Sequence, residues 1–284
     1  MPELPEVETV KRTLNPLLGK TVQGVWTSRL KLRKDVSTQK LKQLFLSKTI
    51  TKINRLGKYL LICFGDSEQG LLIHLGMSGR LRLFKKDDSK AKHTHMVLEL
   101  SRDVELRYSD PRRFGIIDVF SINSPNKNKF LAKLGKDALN NPIGAEEFYE
   151  QTKNRRINIK SLLLNQSILC GIGNIYASEA LWIAKIHPST IACALSKDDL
   201  KRLLDGIRDT LENALDKGGT SLRDFVNADG HQGENIHYLH VYGKTNEPCP
   251  RCAKPLGSLK ISNRSTYLCE VCQKQKQLPK ILHS

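Results

Sequence analysis

Four cysteines near the C-terminus are spaced Cys249-x2-Cys252-x16-Cys269-x2-Cys272. Each pair presents two sulfurs from a tight turn, and two such turns close a tetrahedron around a soft divalent cation. This is the spacing of a four-thiolate zinc site. With all four positions filled by protein, the single zinc is structural. Its binding replaces a core that so short a segment cannot build, and in small fingers it contributes about 10–16 kcal/mol to folding. Between the pairs, GSLKISNRSTYL reads as a β-hairpin with Asn263 and Arg264 near its turn. An arginine on a rigid hairpin tip can enter a groove or clamp a phosphate; a solvated turn residue is the plain alternative.

A second candidate lies at the other end of the chain. Position 2 is proline, and a small residue there generally permits removal of Met1, which leaves a secondary amine. Such an amine can attack a sugar carbon or an aldehyde to form an iminium ion, provided its pKa is lowered or a base is near. The start of a helix disfavours a second positive charge on it, and Glu3 or Glu6, within one turn, can act as general acid/base. Taken alone, acidic residues in a first turn are ordinary complements of the helix dipole.

Elements must hold these residues in place. Leu4, Val7, Val10 and Leu14 mark one face of a helix over 4–18, with Pro5 suited to its first turn. From 22 to 120, VQGVWTSRL, KYLLICF, GLLIHLGMSGRLRLF, HMVLELS, VELRYSD and FGIIDVF read as closely spaced strands of an antiparallel sandwich or barrel. SINSPNKNK (121–129) reads as a linker. The second half is helical, most clearly at 197–216, where Leu200, Leu203, Leu204, Ile207, Leu211 and Leu215 keep helical spacing before Gly218-Gly219. Residues 220–240 read as a polar loop.

The 284 residues carry a net charge of +17. Residues 1–125 hold 23 basic against 13 acidic groups and the rest hold 23 against 16, so the excess is spread over both halves. A polyanionic partner is the natural inference, because basic surface releases condensed counterions from nucleic acid. No apolar run approaches the length of a membrane span, and MPELPEVETV has no signal-peptide character. Cys63, Cys170 and Cys193 do not form a disulfide pattern and suit a reducing compartment. These features point to a cytoplasmic protein.

MPELPEVET, HLGMSGRL, KHTHMVLEL, SDPRRFGIIDVF, GIGNIYASEALW and the final cysteine pairs occur in that order. The chain closely resembles the bacterial formamidopyrimidine-DNA glycosylase family from residue 1 to about 274. Leu4 and the MSG and DPRRFG motifs favour this branch over the related endonuclease VIII branch. The resemblance implies an α+β multidomain protein. An N-terminal β-sandwich with a catalytic N-terminal helix (1–125) comes first. A helical DNA-binding domain with a helix–two-turn–helix motif and a lesion-recognition loop at 218–235 follows (126–240), then a zinc finger with a basic tail (241–284). It implies a monomeric bifunctional glycosylase and AP lyase acting on duplex DNA that contains an oxidised base. The substrates implied are 8-oxoguanine and formamidopyrimidines, with strand cleavage by β,δ-elimination.

Residue by residue, Pro2 matches the family's Schiff-base nucleophile and Glu3 its proton donor. Lys58 matches the lysine of β-elimination, and Arg264 the finger arginine of δ-elimination and phosphate contact. Met77, Arg112 and Phe114 match the side chains that fill the void left by an everted base, a plug, an orphan-base donor and a wedge. Outside that context, Met77 and Phe114 would read as core residues and Lys58 as a strand-edge surface lysine. His74, His93, Arg156 and Asn174 match further DNA-contacting positions; Asn174 also reads as an N-cap. Lys160 matches a position of the family pattern without an assigned role. Departures are Asn165, Trp182-Ile183, LGKDAL and the Lys/Gln-rich tail.

Two other readings share these features. One is a glycosylase of the same fold with a preference shifted toward oxidised pyrimidines or bulkier lesions. The other is a zinc-finger reader of DNA damage without catalysis, which has no need for Pro2, Glu3 and Lys58 together.

Overall fold

The strand-forming residues of the first half are mostly buried in continuous runs, and the chain folds them into two layers. A computed structural model describes residues 1–28, 30–35, 37–222 and 225–277. The end of the basic tail (278–284) and two positions of the expected recognition loop, Arg223 and Asp224, lie outside the described residues. Among the described residues, β1 (Val22–Thr27), β6 (Thr94–Leu100), β7 (Val104–Ser109) and β5 (Arg80–Lys85) form one antiparallel sheet in that order. β2 (Ile50–Leu56), β3 (Tyr59–Phe64), β4 (Gln69–His74) and β8 (Ile116–Ser121) form the other. Val25, Met96, Leu98 and Leu106 of the first sheet share one core with Ile53, Ile62, Leu71 and Ile73 of the second, which makes a β-sandwich.

Helix α1 (Leu4–Thr13) lays Val7 and Val10 into that same core. A second helix, α2 (Thr38–Phe45), lies where the sequence reads as strands only. Ser37 caps it by accepting the Lys40 N–H at 3.2 Å, and Leu41 and Phe45, one turn apart, bury its inner face. β2 is not legible as a strand in the sequence because Lys52, Asn54 and Arg55 interrupt its apolar pattern.

By contacts the chain divides into two units: Met1–Lys133 with Ala214–Ile236, and Leu134–Asn213 with the chain from His237 onward. The segment expected to be a polar recognition loop packs within the first unit. Phe225 and Ala228 join the sandwich core. Leu83 donates its N–H to the Ala228 carbonyl at 3.0 Å, and the Ala228 N–H reaches Thr13 Oγ1 at 3.1 Å.

The second unit holds α3 (Ala145–Thr152), α4 (Ile159–Leu164), α5 (Asn174–Ile183) and most of α6 (Lys197–Asp216). It also holds the short parallel pair β9 (Lys136–Asp137) and β10 (Leu169–Cys170), and the hairpin β11 (Gly257–Ile261) and β12 (Arg264–Leu268). α5 is buried on all sides from Ile175 to Trp182. Its buried Glu179 accepts the N–H groups of His240, Val241 and Tyr242 at 2.7, 2.9 and 2.8 Å and so anchors the chain entering the finger. Leaving the finger, buried Gln273 accepts from Cys269 N at 2.8 Å and donates to the Ile186 carbonyl at 2.9 Å. Lys276 then pairs with Asp199 near the start of α6. No helix among the described residues is long and apolar enough to cross a membrane.

Replacing Phe225 with Ala removes the large side chain that fastens 218–235 to the sandwich. The expected cost is about 3 kcal/mol, read as a lowered unfolding midpoint, with faster protease cleavage inside that loop than in the wild type.

Candidate active site and zinc module

Pro2 is buried and directly precedes Glu3, the N-cap of α1. Glu3 is itself 2% exposed, and its N–H is held by Glu6 Oε2 at 2.7 Å. The other oxygen of Glu6 accepts the Thr220 N–H at 2.8 Å, so one carboxylate ties the helix start to the first residues of the expected recognition loop. Glu6 is therefore an acceptor of backbone donors here, whereas the sequence left it open as an acid/base.

Lys58 is buried, against its reading as a strand-edge surface lysine. It ends a two-residue turn between β2 and β3, in which Leu56 pairs with Tyr59 and Gly57 takes φ +56°, a conformation that favours glycine. The register sets Tyr59 opposite His74, and their rings lie 4.7 Å apart. His74 Nδ1 accepts the Gly76 N–H at 3.0 Å, so the neutral ring carries its proton on Nε2. Burial, followed by the positive charges of Lys58 and Arg33, pushes its pKa down to about 4. His74 thus offers a neutral N–H donor beside a cationic lysine.

The expected void-filling residues sit on two turns joined by one buried carboxylate. Asp110 is fully buried. It accepts Ser78 Oγ at 2.6 Å, Tyr108 OH at 3.2 Å, and the N–H groups of Arg112 and Gly115 at 3.2 and 2.8 Å. Ser78 follows Met77, while Arg112 and Gly115 bracket Phe114. Burial and the Asp110 carboxylate hold the Tyr108 phenol well above its ordinary range, so it remains a donor. A Cβ at Gly115 would stand 1.6 Å from the Tyr108 hydroxyl, so only glycine fits there. The frame leaves Met77 42% and Phe114 48% exposed, with the Arg112 guanidinium 5.0 Å from the centre of the Phe114 ring. These are apolar side chains projected outward, not core residues. His93, exposed at φ +70°, accepts the Asp110 N–H on its carbonyl at 3.0 Å, which joins it to the same frame.

In the second unit, Ser262 and Asn263 both take positive φ and Ile261 pairs with Arg264, the geometry of a type I′ hairpin. Asn263 belongs to the turn, and Arg264 starts the returning strand, exposed. Two side chains hold its neighbour: Asn174 Nδ2 donates to the Ser265 carbonyl at 2.9 Å, and buried Lys160 donates to Thr266 Oγ1 at 2.6 Å and more weakly to Ser265 O at 3.4 Å. This gives Lys160 the role the sequence left blank. Gly173, not Asn174, is the N-cap of α5; Asn174 is its first helical residue. Arg156 is exposed between α3 and α4.

The sulfurs of Cys249, Cys252, Cys269 and Cys272 all lie within 4.8 Å of one another. A tetrahedral site with Zn–S of about 2.3 Å has sulfurs a little under 4 Å apart, so the four-thiolate set fits one structural zinc. Arg251, inside the first CxxC, lies 4.0 Å over the Trp182 ring and donates to the Trp182 carbonyl at 3.0 Å, which fastens that knuckle to the end of α5.

Sequence reasoning missed Asp110 and Glu179 as site-building residues. Their only signal is an acidic residue inside an otherwise apolar or oppositely charged motif, which a sequence alone does not distinguish from a solvated one.

Three family descriptions match the chain in order. They are the formamidopyrimidine-DNA glycosylase N-terminal domain over residues 1–117, the H2TH domain of the same glycosylase over 134–226, and the zinc finger found in FPG and IleRS over 246–275. A formamidopyrimidine-DNA glycosylase of Dichelobacter nodosus is 42% identical over 96% of this chain and 100% of its own length. Two Lactococcus lactis Fpg structures cover 96% of this chain and 100% of their own at 35% identity. One is a mutant in complex with Fapy-dG-containing DNA, at a TM-score of 0.89; the other is bound to abasic-site DNA, at 0.88. Sandwich, helical module and four-cysteine finger in this order define a zinc-finger DNA glycosylase of base excision repair. The chain belongs to the formamidopyrimidine-DNA glycosylase family.

Asp110→Ala strands the buried donors of Ser78, Tyr108 and Gly115 at once and leaves the half-buried Arg112 N–H with only the Ser78 hydroxyl. With each unsatisfied group costing about 1–3 kcal/mol, the variant should lose most of the first unit's stability in a urea titration. An unchanged midpoint would rule out the frame. For His74, NMR titration should give a pKa near 4, with the neutral Nε2–H tautomer at pH 6. Its folded pKa lies below the unfolded value near 6.5, so the unfolded chain takes the proton first. Its contribution therefore lowers stability as pH falls from about 6.5 to 4.

Proposed function

We propose that this glycosylase excises 8-oxoguanine and formamidopyrimidines from duplex DNA through a Schiff base on Pro2, then cleaves the strand by β,δ-elimination. The observation that carries this reading is the Glu6 carboxylate, which holds the N–H of Glu3 and that of Thr220 together. The start of the nucleophile's helix and the loop assigned to the everted base are thereby fastened to each other.

Removal of Met1 turns the Pro2 nitrogen into a secondary amine. Its lone pair attacks C1′, the glycosidic bond breaks, and the damaged base leaves with a proton. Glu3 protonates the ring oxygen as the sugar opens to an iminium ion. That ion is the electron sink for loss of a C2′ proton and departure of the 3′ phosphate; a second elimination releases the 5′ phosphate. Lys58 serves proton transfer in the first elimination, and Arg264 the second. His74, His93, Arg156 and Asn174 hold the backbone. Met77, Arg112 and Phe114 occupy the space of the extruded base, with Arg112 offering donors to the orphaned cytosine. Zinc supplies no step; it shapes the finger that presents Arg264. The functional parts we assign are 1–125, 126–240 and 241–284, with 218–235 as the recognition loop.

The test is borohydride trapping on a duplex with one 8-oxoguanine opposite cytosine, using protein shown to lack Met1. A covalent adduct at Pro2 is expected. Protein that keeps Met1, in which the Pro2 nitrogen is tied up in a peptide bond and has no free lone pair, should lose strand cleavage and leave lesion binding within a few-fold of the processed chain. Turnover by the unprocessed protein would mean another nucleophile. Tight binding without an adduct, on both lesion and abasic duplexes, would instead indicate a non-catalytic reader, and an adduct only with an oxidised pyrimidine would indicate a shifted preference.

A further inference from the structure

Helix α1 carries a second buried carboxylate, Glu8, at 5% exposure. Glu8 Oε2 accepts Arg55 Nε at 2.9 Å, and Oε1 accepts Lys11 Nζ at 3.0 Å and Arg12 Nε at 3.3 Å. The Arg55 side chain, on β2, is wholly buried. Its other arm, Nη1, donates to the Gly57 carbonyl at 3.0 Å. Gly57 is the residue before Lys58, and the two make up the turn between β2 and β3. A single planar guanidinium is therefore pinned at one edge to the helix that begins at Pro2 and Glu3, and at the other to the turn that bears Lys58.

A pair buried this deeply is a poor device for stability alone. Desolvation cancels most of the attraction, and apolar residues of similar size often do as well. It does impose direction: the guanidinium fork has fixed angles, and its bonds to Glu8 Oε2 and the Gly57 carbonyl are to specific atoms. Burial tends to raise the Glu8 carboxyl, but the hydrogen bonds and charges of Arg55 and Lys11 outweigh it and hold the group below its ordinary value. The pair stays ionised through neutral pH.

We propose that Glu8 and Arg55 are positioning residues that set Lys58 relative to the Pro2 amine, so that their alteration slows elimination more than Schiff-base formation. This rests on the Pro2 and Lys58 reading above. A misplacement of about 1 Å at a reacting group can cost on the order of 100-fold in rate. The lysine that must meet a particular proton is sensitive to it, whereas the nucleophile moves with its own helix.

The test uses Glu8→Gln and Arg55→Lys in the full chain. Arg55→Lys keeps the charge pair and gives up the two-armed fork, so it carries the experiment if Glu8→Gln does not fold. Under single turnover on an abasic duplex, two rates are read: borohydride-trappable adduct formation and strand cleavage. The expected result is adduct formation within about 2-fold of wild type and cleavage at least about 10-fold slower, with accumulation of trapped intermediate. In parallel, hydrogen exchange at the 57–59 turn should speed up at least about 10-fold. Equal slowing of both rates, or exchange at that turn unchanged from wild type, overturns the proposal. A wild-type chain that forms no adduct sinks the Pro2 reading instead; the exchange measurement then still decides whether the fork holds the turn.

Discussion

A carboxylate taken out of water must be met by donors, and helix α1 carries two such groups into the first unit. Glu6 meets the requirement with the backbone of Glu3 and of Thr220. Glu8 meets it with Arg55, Lys11 and Arg12. Through these bonds, the start of the helix is tied to a loop more than two hundred residues away in sequence and to the turn that bears Lys58. Had both positions been apolar, α1 could still pack Val7 and Val10 into the sandwich and hold Ala228 through Thr13, but the bonds that tie its first two turns to Thr220 and Arg55 would be lost. Charge burial is the source of this precision.

The same rule recurs where chain segments without regular structure must be held still. Asp110 gathers the donors of the MSG and DPRRFG turns and leaves Met77 and Phe114 projecting into solvent. Glu179 does the equivalent for the stretch that enters the finger. In each case a loop that would otherwise sample many conformations is organised from inside by one anion. Exposed apolar groups are normally unfavourable at a surface; a rigid mount keeps them from folding back into the core.

The finger solves the problem differently. Four thiolates around one zinc fix the ends of a short hairpin, and the type I′ turn fixes its tip. Neither feature orients the hairpin as a whole. That falls to Lys160 and Asn174 at the Ser265–Thr266 edge, to Arg251 stacked on Trp182, and to Gln273 at the exit. Trp182 supplies the broad face on which Arg251 lies.

The sequence by itself determined the family, the zinc ligands and the sandwich-then-helices order. Those signals are local: cysteine spacing, apolar periodicity and short ordered motifs are written within a few turns of chain. It also placed helix α6 well, because a long amphipathic face ending in two glycines leaves little choice. Only the tertiary structure decided which charged residues go inside. Nothing in the sequence marks Glu8, Arg55 or Asp110 as buried, Lys160 matches a family position without a role, and α2 and β2 are obscured by their lysines. Likewise, residues 218–235 read as a free polar loop because Phe225 and Ala228 are too few to show a pattern, yet they dock into the sandwich core. The physical reason is the same throughout. A charge or a lone apolar side chain has no period of its own, and its place depends on a partner distant in sequence that only the fold brings within hydrogen-bond or van der Waals reach.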